Sequence, residues 1–104
     1  MFKKMMQEKR EYRAYRKRVN ELPEEFRIAM VSIEEYMWNF AKGSGMFALL
    51  KNILEMFESS ASDGLSVRDV VGSDIAEFAD SLLAEFPEET WIDKMRKKLR
   101  DSIE

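Results

Sequence analysis

Apolar residues recur at helical spacing from one end of this chain to the other, and six helical segments can be read from them. The first runs from about Phe2 to Asn20, with an apolar seam of Met5, Tyr12, Tyr15, Val19 and Leu22 interrupted by Glu8. The seam covers about a quarter of the circumference, which suits a peripheral or coiled-coil helix better than a central one. Pro23 stops it, because the proline ring disfavours a helical conformation at Leu22. The same proline suits the first position of a second helix, where Glu24 and Glu25 complement the positive end of the dipole. Phe26, Ala29, Met30, Ile33, Met37 and Phe40 form the inner face of that helix, with Tyr36 at its margin. Val31 and Trp38 lie on a second face, so this helix is either sandwiched between neighbours or carries an apolar patch.

A short turn through Gly43, Ser44 and Gly45 leads to a third helix, about Gly45 to Ser60, with Ser44 as its cap. Its apolar positions are Met46, Phe47, Leu49, Leu50, Ile53, Leu54, Met56 and Phe57, about half the circumference, which marks it as the central helix. The small residues 59–63 read as its fraying end, terminated by Gly64. Ser66-Val67-Arg68-Asp69 has the form of a capping box and starts one or two turns before Gly72. Ser73 is expected to cap a fifth helix, about Asp74 to Glu85, that buries Ile75, Phe78, Ala79, Leu82, Leu83 and Phe86. Pro87-Glu88-Glu89 opens a last helix expected to bury Trp91, Ile92, Met95, Leu99 and Ile103. Leu22-Pro23-Glu24-Glu25 and Phe86-Pro87-Glu88-Glu89 look alike because Pro-Glu-Glu is a good helix start, not because the chain repeats itself.

Only four Gly and two Pro interrupt 104 residues, too few for a sandwich or barrel, while 45% of the residues are hydrophobic. These figures predict one all-α domain over residues 1–104, a compact bundle of five to six helices without strands, from which the basic first helix can project. No apolar run reaches the roughly 18 to 20 residues of a membrane span. Met1-Phe2-Lys3-Lys4 is charged like the start of a signal peptide, but Gln7-Glu8-Lys9-Arg10-Glu11 follows in place of an apolar stretch. A cytoplasmic protein without membrane contact is expected.

Several segments resemble one family. They are Leu22-Pro23-Glu24-Glu25-Phe26, Glu35-Tyr36-Met37-Trp38-Asn39-Phe40 with Gly43-Ser44-Gly45-Met46, Leu54-Glu55-Met56-Phe57-Glu58 with Gly64, and Val70-Val71-Gly72-Ser73-Asp74-Ile75-Ala76-Glu77-Phe78. Together they are similar to the bacterial family known as domain of unknown function 1048 (DUF1048), across nearly the whole chain. The resemblance implies a compact helical domain wound as a left-handed superhelix, with genes that often neighbour PadR-type transcriptional repressors. It carries over no catalytic or ligand-binding residue.

The chain contains neither histidine nor cysteine. The commonest general base, the commonest metal ligand and every thiolate are therefore missing. Glu34/Glu35 and Glu88/Glu89 are the only carboxylate pairs worth testing. Adjacent helical residues point about 100° apart, so each pair reads as a solvated face or a dipole cap. No phosphate loop, EF-hand spacing or nucleophile elbow is present. No enzyme activity, no cofactor and no transition-metal site is expected.

Charge is segregated along the sequence. Residues 1–22 carry a net +5, residues 23–90 a net −10 and residues 91–104 a net +2. Arg10, Arg13 and Lys17 share a face of the first helix and offer a grip on phosphate, but a pI near 5.2 opposes nucleic acid. The alternative is that the basic ends pack near the acidic middle. The third helix, with Glu55 and Glu58 beside Lys51 and Asn52, is a core helix and not a reading head.

The expected function is therefore a non-enzymatic helical protein-interaction module, an accessory to a transcriptional regulator or a self-associating unit. Its partner would be another protein or a second copy. Candidate contact residues are Tyr12, Tyr15, Val19, Arg10, Arg13 and Lys17 on the first helix, and Trp38, since tryptophan is enriched at binding hot spots. Weak nucleic-acid binding through the first helix, or an apolar small ligand between Met- and Phe-rich helices, are the alternatives.

Overall fold

The computed structural model of the protein describes residues 2–39, 44–85 and 91–103, and the side chains of 7–39, 45–85 and 95–103 among them. Expectations for Phe40, Gly43 and Phe86 to Glu89, and for the side chains of Met5, Trp91 and Ile92, fall outside these residues. The described chain is helical, without a strand: α1 (Phe2–Glu21), α2 (Glu24–Met37), α3 (Ser44–Ser62), α4 (Val67–Val71), α5 (Ile75–Leu83) and α6 (Trp91–Asp101).

Each boundary has a local cause. The Leu22 N–H bonds the Val19 carbonyl at 3.2 Å, and Pro23 then adopts an extended conformation, φ −51° and ψ 147°. Pro23 is thus the N-cap of α2 and not its first helical residue, and its carbonyl accepts the first helical bond from Arg27 at 2.9 Å. Helix α3 ends in a complete Schellman motif: the Leu65 N–H reaches the Ser60 carbonyl and the Gly64 N–H reaches that of Ala61. Gly64 makes this possible with φ +78°.

The capping box at α4 is present in full. Ser66 Oγ accepts from the Asp69 N–H at 3.1 Å, while Asp69 Oδ2 accepts from the Ser66 N–H at 2.8 Å. A second orphan donor at this terminus, the Val67 N–H, is satisfied from a distance by Glu25 Oε1 at 2.9 Å, which fastens α4 to the first turn of α2. Asp74, not Ser73, caps α5, accepting from the N–H groups of Ala76 and Glu77. A carboxylate there also meets the helix dipole, which a hydroxyl does not.

Sixteen apolar residues among those described, from Tyr15 to Leu83, form one buried cluster. Leu50, Ile53 and Phe57 of α3 are fully enclosed, and the Phe57 ring meets Phe26 edge-on at 5.3 Å between centroids. Helix α3 supplies much of this core, but the hub is α2, which packs against α1, α3, α4 and α5. The second apolar face of α2 explains it: Val31, Tyr36 and Trp38 lie half-buried against the core, so the helix is sandwiched.

Three expectations of burial fail, the first at Ile75 of α5, which is 37% exposed. Met56 lies on the outer edge of α3, and the stripe of α6 is open, with Met95 46%, Leu99 68% and Ile103 83% exposed. The C-terminal half of α1 is held between α2 and α3, while residues 7–14 of α1 and the described side chains of α6 lie exposed. The radius of gyration, 15.8 Å, reflects this. A compact chain of this length would have about 13 Å.

Candidate functional site

Three places combine chemistry with position. The first is Glu34, the one buried charged side chain among the described residues. It sits on the apolar stripe of α2 and not on the solvated face expected for it. Arg16 grips it from α1 with two bonds, Nη1 to Oε1 at 3.0 Å and Nη2 to Oε2 at 2.7 Å. The Tyr15 hydroxyl donates to Oε2 at 2.5 Å. The Arg16 guanidinium also lies 5.8 and 5.5 Å from the ring centroids of Tyr12 and Tyr15. Phe47 of α3 closes the cluster edge-on to Tyr15 at 5.2 Å, beneath the Lys51 ammonium. Burial, and next the bond to the carboxylate, hold the Tyr15 phenol far above its ordinary pKa. Both oxygens of Glu34 are taken, so the cluster joins helices and offers no free base.

The second place is the basic face of α1. Tyr15 and Val19, expected as contact residues from the seam, are buried in the core. Tyr12 is 47% exposed and lines a shallow hollow with Glu8, Lys9 and Arg13. Arg10, Arg13 and Lys17 face solvent, with Lys17 3.9 Å from Glu21 in a weak surface pair. Trp38 is half-buried against the core. Arg16 and Arg18 turn inward: Arg18 bonds both oxygens of Glu58 on α3, at 2.5 and 3.1 Å. These pairs are the expected meeting of basic end and acidic middle, and they remove two cations from any phosphate-binding face.

The third place is a surface groove along α2, bounded by α4 and α5. Two adjoining hollows of 190 and 550 Å³ share Ser32 and Ile75. The smaller is almost wholly apolar, floored by Ile33 and Ala79, and beside it the Tyr36 hydroxyl donates to Asp80. Ile28 and Ile75 stand exposed at 53% and 37%. Such a trough is open, so it fits side chains laid along it and does not enclose a free ligand. Helix α6 presents Met95, Leu99 and, in the turn beyond, Ile103 at four-residue spacing, with Arg96 and Lys98 on either border.

No group of three or more acidic side chains that could hold a metal ion occurs among the described residues, and no described helix is long and apolar enough to cross a membrane. The model of the family described as "Protein of unknown function (DUF1048)" matches residues 3–104. Among solved structures, a DUF1048 protein with a left-handed superhelix fold from Bacillus cereus ATCC 10987 is 40% identical, over 65% of this chain and 86% of that one, with a TM-score of 0.59. Over the matched part, the helices described above share that fold. No curated protein matches the chain.

Proposed function

The chain belongs to the DUF1048 family, whose function is unknown, and within it we propose a non-enzymatic helical interaction module whose contact element is α6. The observation that carries this reading is the open stripe of Met95, Leu99 and Ile103 on a helix that adds no described side chain to the core. Covering each of these residues is worth about 1.5–3 kcal/mol. A helix with this pattern is the standard ligand of an apolar groove.

Several features support binding over catalysis. The chain has no histidine or cysteine, and both oxygens of the buried carboxylate are spent on Tyr15 and Arg16. Helix α1, with Tyr15 and Val19 turned inward and two arginines paired, has less surface to offer than its sequence promised.

The test uses tagged full-length protein and its Leu99→Asp/Ile103→Asp variant as baits in lysate of the native host. The family resemblance makes a transcriptional regulator the first protein to look for. A protein retained by the wild type and released by the variant supports the reading. Equal retention by both, or retention of nothing, sinks it.

A further inference from the structure

We infer that the surface receiving α6 is the groove between α2, α4 and α5 on a second copy of the same chain, so that two copies exchange their last helices. This rests on the reading of α6 as the contact element and adds the identity of the partner.

Complementarity within the one sequence argues for it. The groove carries Ile28 and Ile75 on either side of Ser32, and the small side chains of Ala29, Ala76 and Ala79 let a helix approach closely. Its charged lining is Glu25 and Arg68, and the segment that bounds it is acidic and exposed: residues 67–85 hold Asp69, Asp74, Glu77, Asp80 and Glu85 against Arg68 alone, a net −4. Helix α6 has the opposite make-up, with Lys94, Arg96, Lys97, Lys98 and Arg100 against Asp93 and Asp101, a net +3. Arg96 and Lys98 border the apolar stripe, where cations would meet Glu25 and the acidic segment around the groove while Leu99 enters the trough.

Geometry favours exchange over closure within one chain. In the structure α6 stands away from the core and leaves its own groove uncovered, and the molecule spans 53 × 41 × 17 Å. An open stripe and an open trough on one chain are satisfied together when two copies meet about a two-fold axis, since every contact then occurs twice. Exchange of a terminal helix across a short connection is a low-cost route to that arrangement.

Light scattering on the full chain, across a wide range of concentration, tests the inference with two single variants. Leu99→Asp damages the stripe and Ile28→Glu damages the groove. Both positions are exposed, so circular dichroism melts of dilute samples should match the wild type. The wild type is expected to dimerise, and each variant to do so at least about a hundredfold more weakly, the cost of an unpaired charge in the seam. The decisive sample is an equimolar mixture of the two variants. In a mixed pair both lesions fall in the same contact, and the other contact, intact stripe on intact groove, remains, so the mixture should recover dimer.

Three results overturn the inference: a wild type that stays monomeric throughout, variants that dimerise as well as the wild type, or a mixture that stays monomeric. If either variant loses helical signal, Leu99→Ser and Ile28→Thr take their places with the same expectations. A monomeric wild type whose α6 still retains a different protein from lysate overturns the self-pairing and leaves the contact role of α6 standing.

Discussion

The Tyr15 hydroxyl donates to Glu34 Oε2 across 2.5 Å where the two residues are only 1% and 5% exposed, so a carboxylate inside the core is bonded from a neighbouring helix. An isolated charge there would cost far more than the fold can bear. The phenol and the two-pronged grip of Arg16 offset that cost and fix the register of α1 on α2. Apolar packing alone tolerates small slips between helices, whereas a two-pronged ion pair to a buried carboxylate does not.

Tyr15→Phe leaves Glu34 with Arg16 alone, and a stability loss of about 1–3 kcal/mol is expected. Arg16→Leu should cost more, toward the low end of the about 3–5 kcal/mol typical of a broken buried pair, because the arginine keeps some contact with water. Urea denaturation followed by circular dichroism measures both.

The same contact makes stability depend on alkaline pH. The folded state holds the Tyr15 proton more tightly than the unfolded chain does. The resulting stability is fully present below the ordinary tyrosine value of about 10 and is lost as pH rises beyond it. Tyr36 contributes with the same sign, because its bond to Asp80 also raises its pKa. Denaturation midpoints measured upward from neutral pH should fall more steeply for the wild type than for Tyr15→Phe, and parallel curves would count against this account.

Core and projection should respond differently to truncation. Ile53→Ala removes fully buried methylenes and should cost about 2–5 kcal/mol. Leu99→Ala, measured at high dilution, should stay within about 0.5 kcal/mol of the wild type. A large loss at Leu99 in dilute protein would place α6 inside the folding unit.

Among the described residues, two glycines carry left-handed backbone. At Gly64 an added Cβ meets nothing within 4 Å, so Gly64→Ala should cost only the conformational about 1–2 kcal/mol, and Gly64→Asn less. Gly72, with φ 80° and ψ −157°, occupies a region that side chains avoid altogether. Gly72→Ala should therefore be the more destabilising of the two in thermal melts, although its surroundings are equally open.

What could be read in the sequence, and what could not, follows the range of the forces involved. The capping box at Ser66, the Schellman stop at Gly64 and the stripe of α3 are local patterns, and the structure reproduces them. Asp74 in place of Ser73 is a choice between neighbouring cap residues. Glu34 escapes a local reading because its partners lie 18 and 19 residues away in sequence. A signal was present all the same: Glu34 falls on the helical face between Met30 and Met37, where a solvated acid has no place. The stripe of α6 has the periodicity of any buried helix, and periodicity records that a face wants cover without recording whose surface supplies it.

Since the buried cluster closes between Tyr15 and Leu83, the residues that hold this fold and those that present α6 are largely separate sets. Descendants of such a chain can change what they bind by rewriting Met95, Leu99 and Ile103 while their melting temperature stays put. That freedom does not exist at Tyr15 or Val19, where any new contact is also a change of fold.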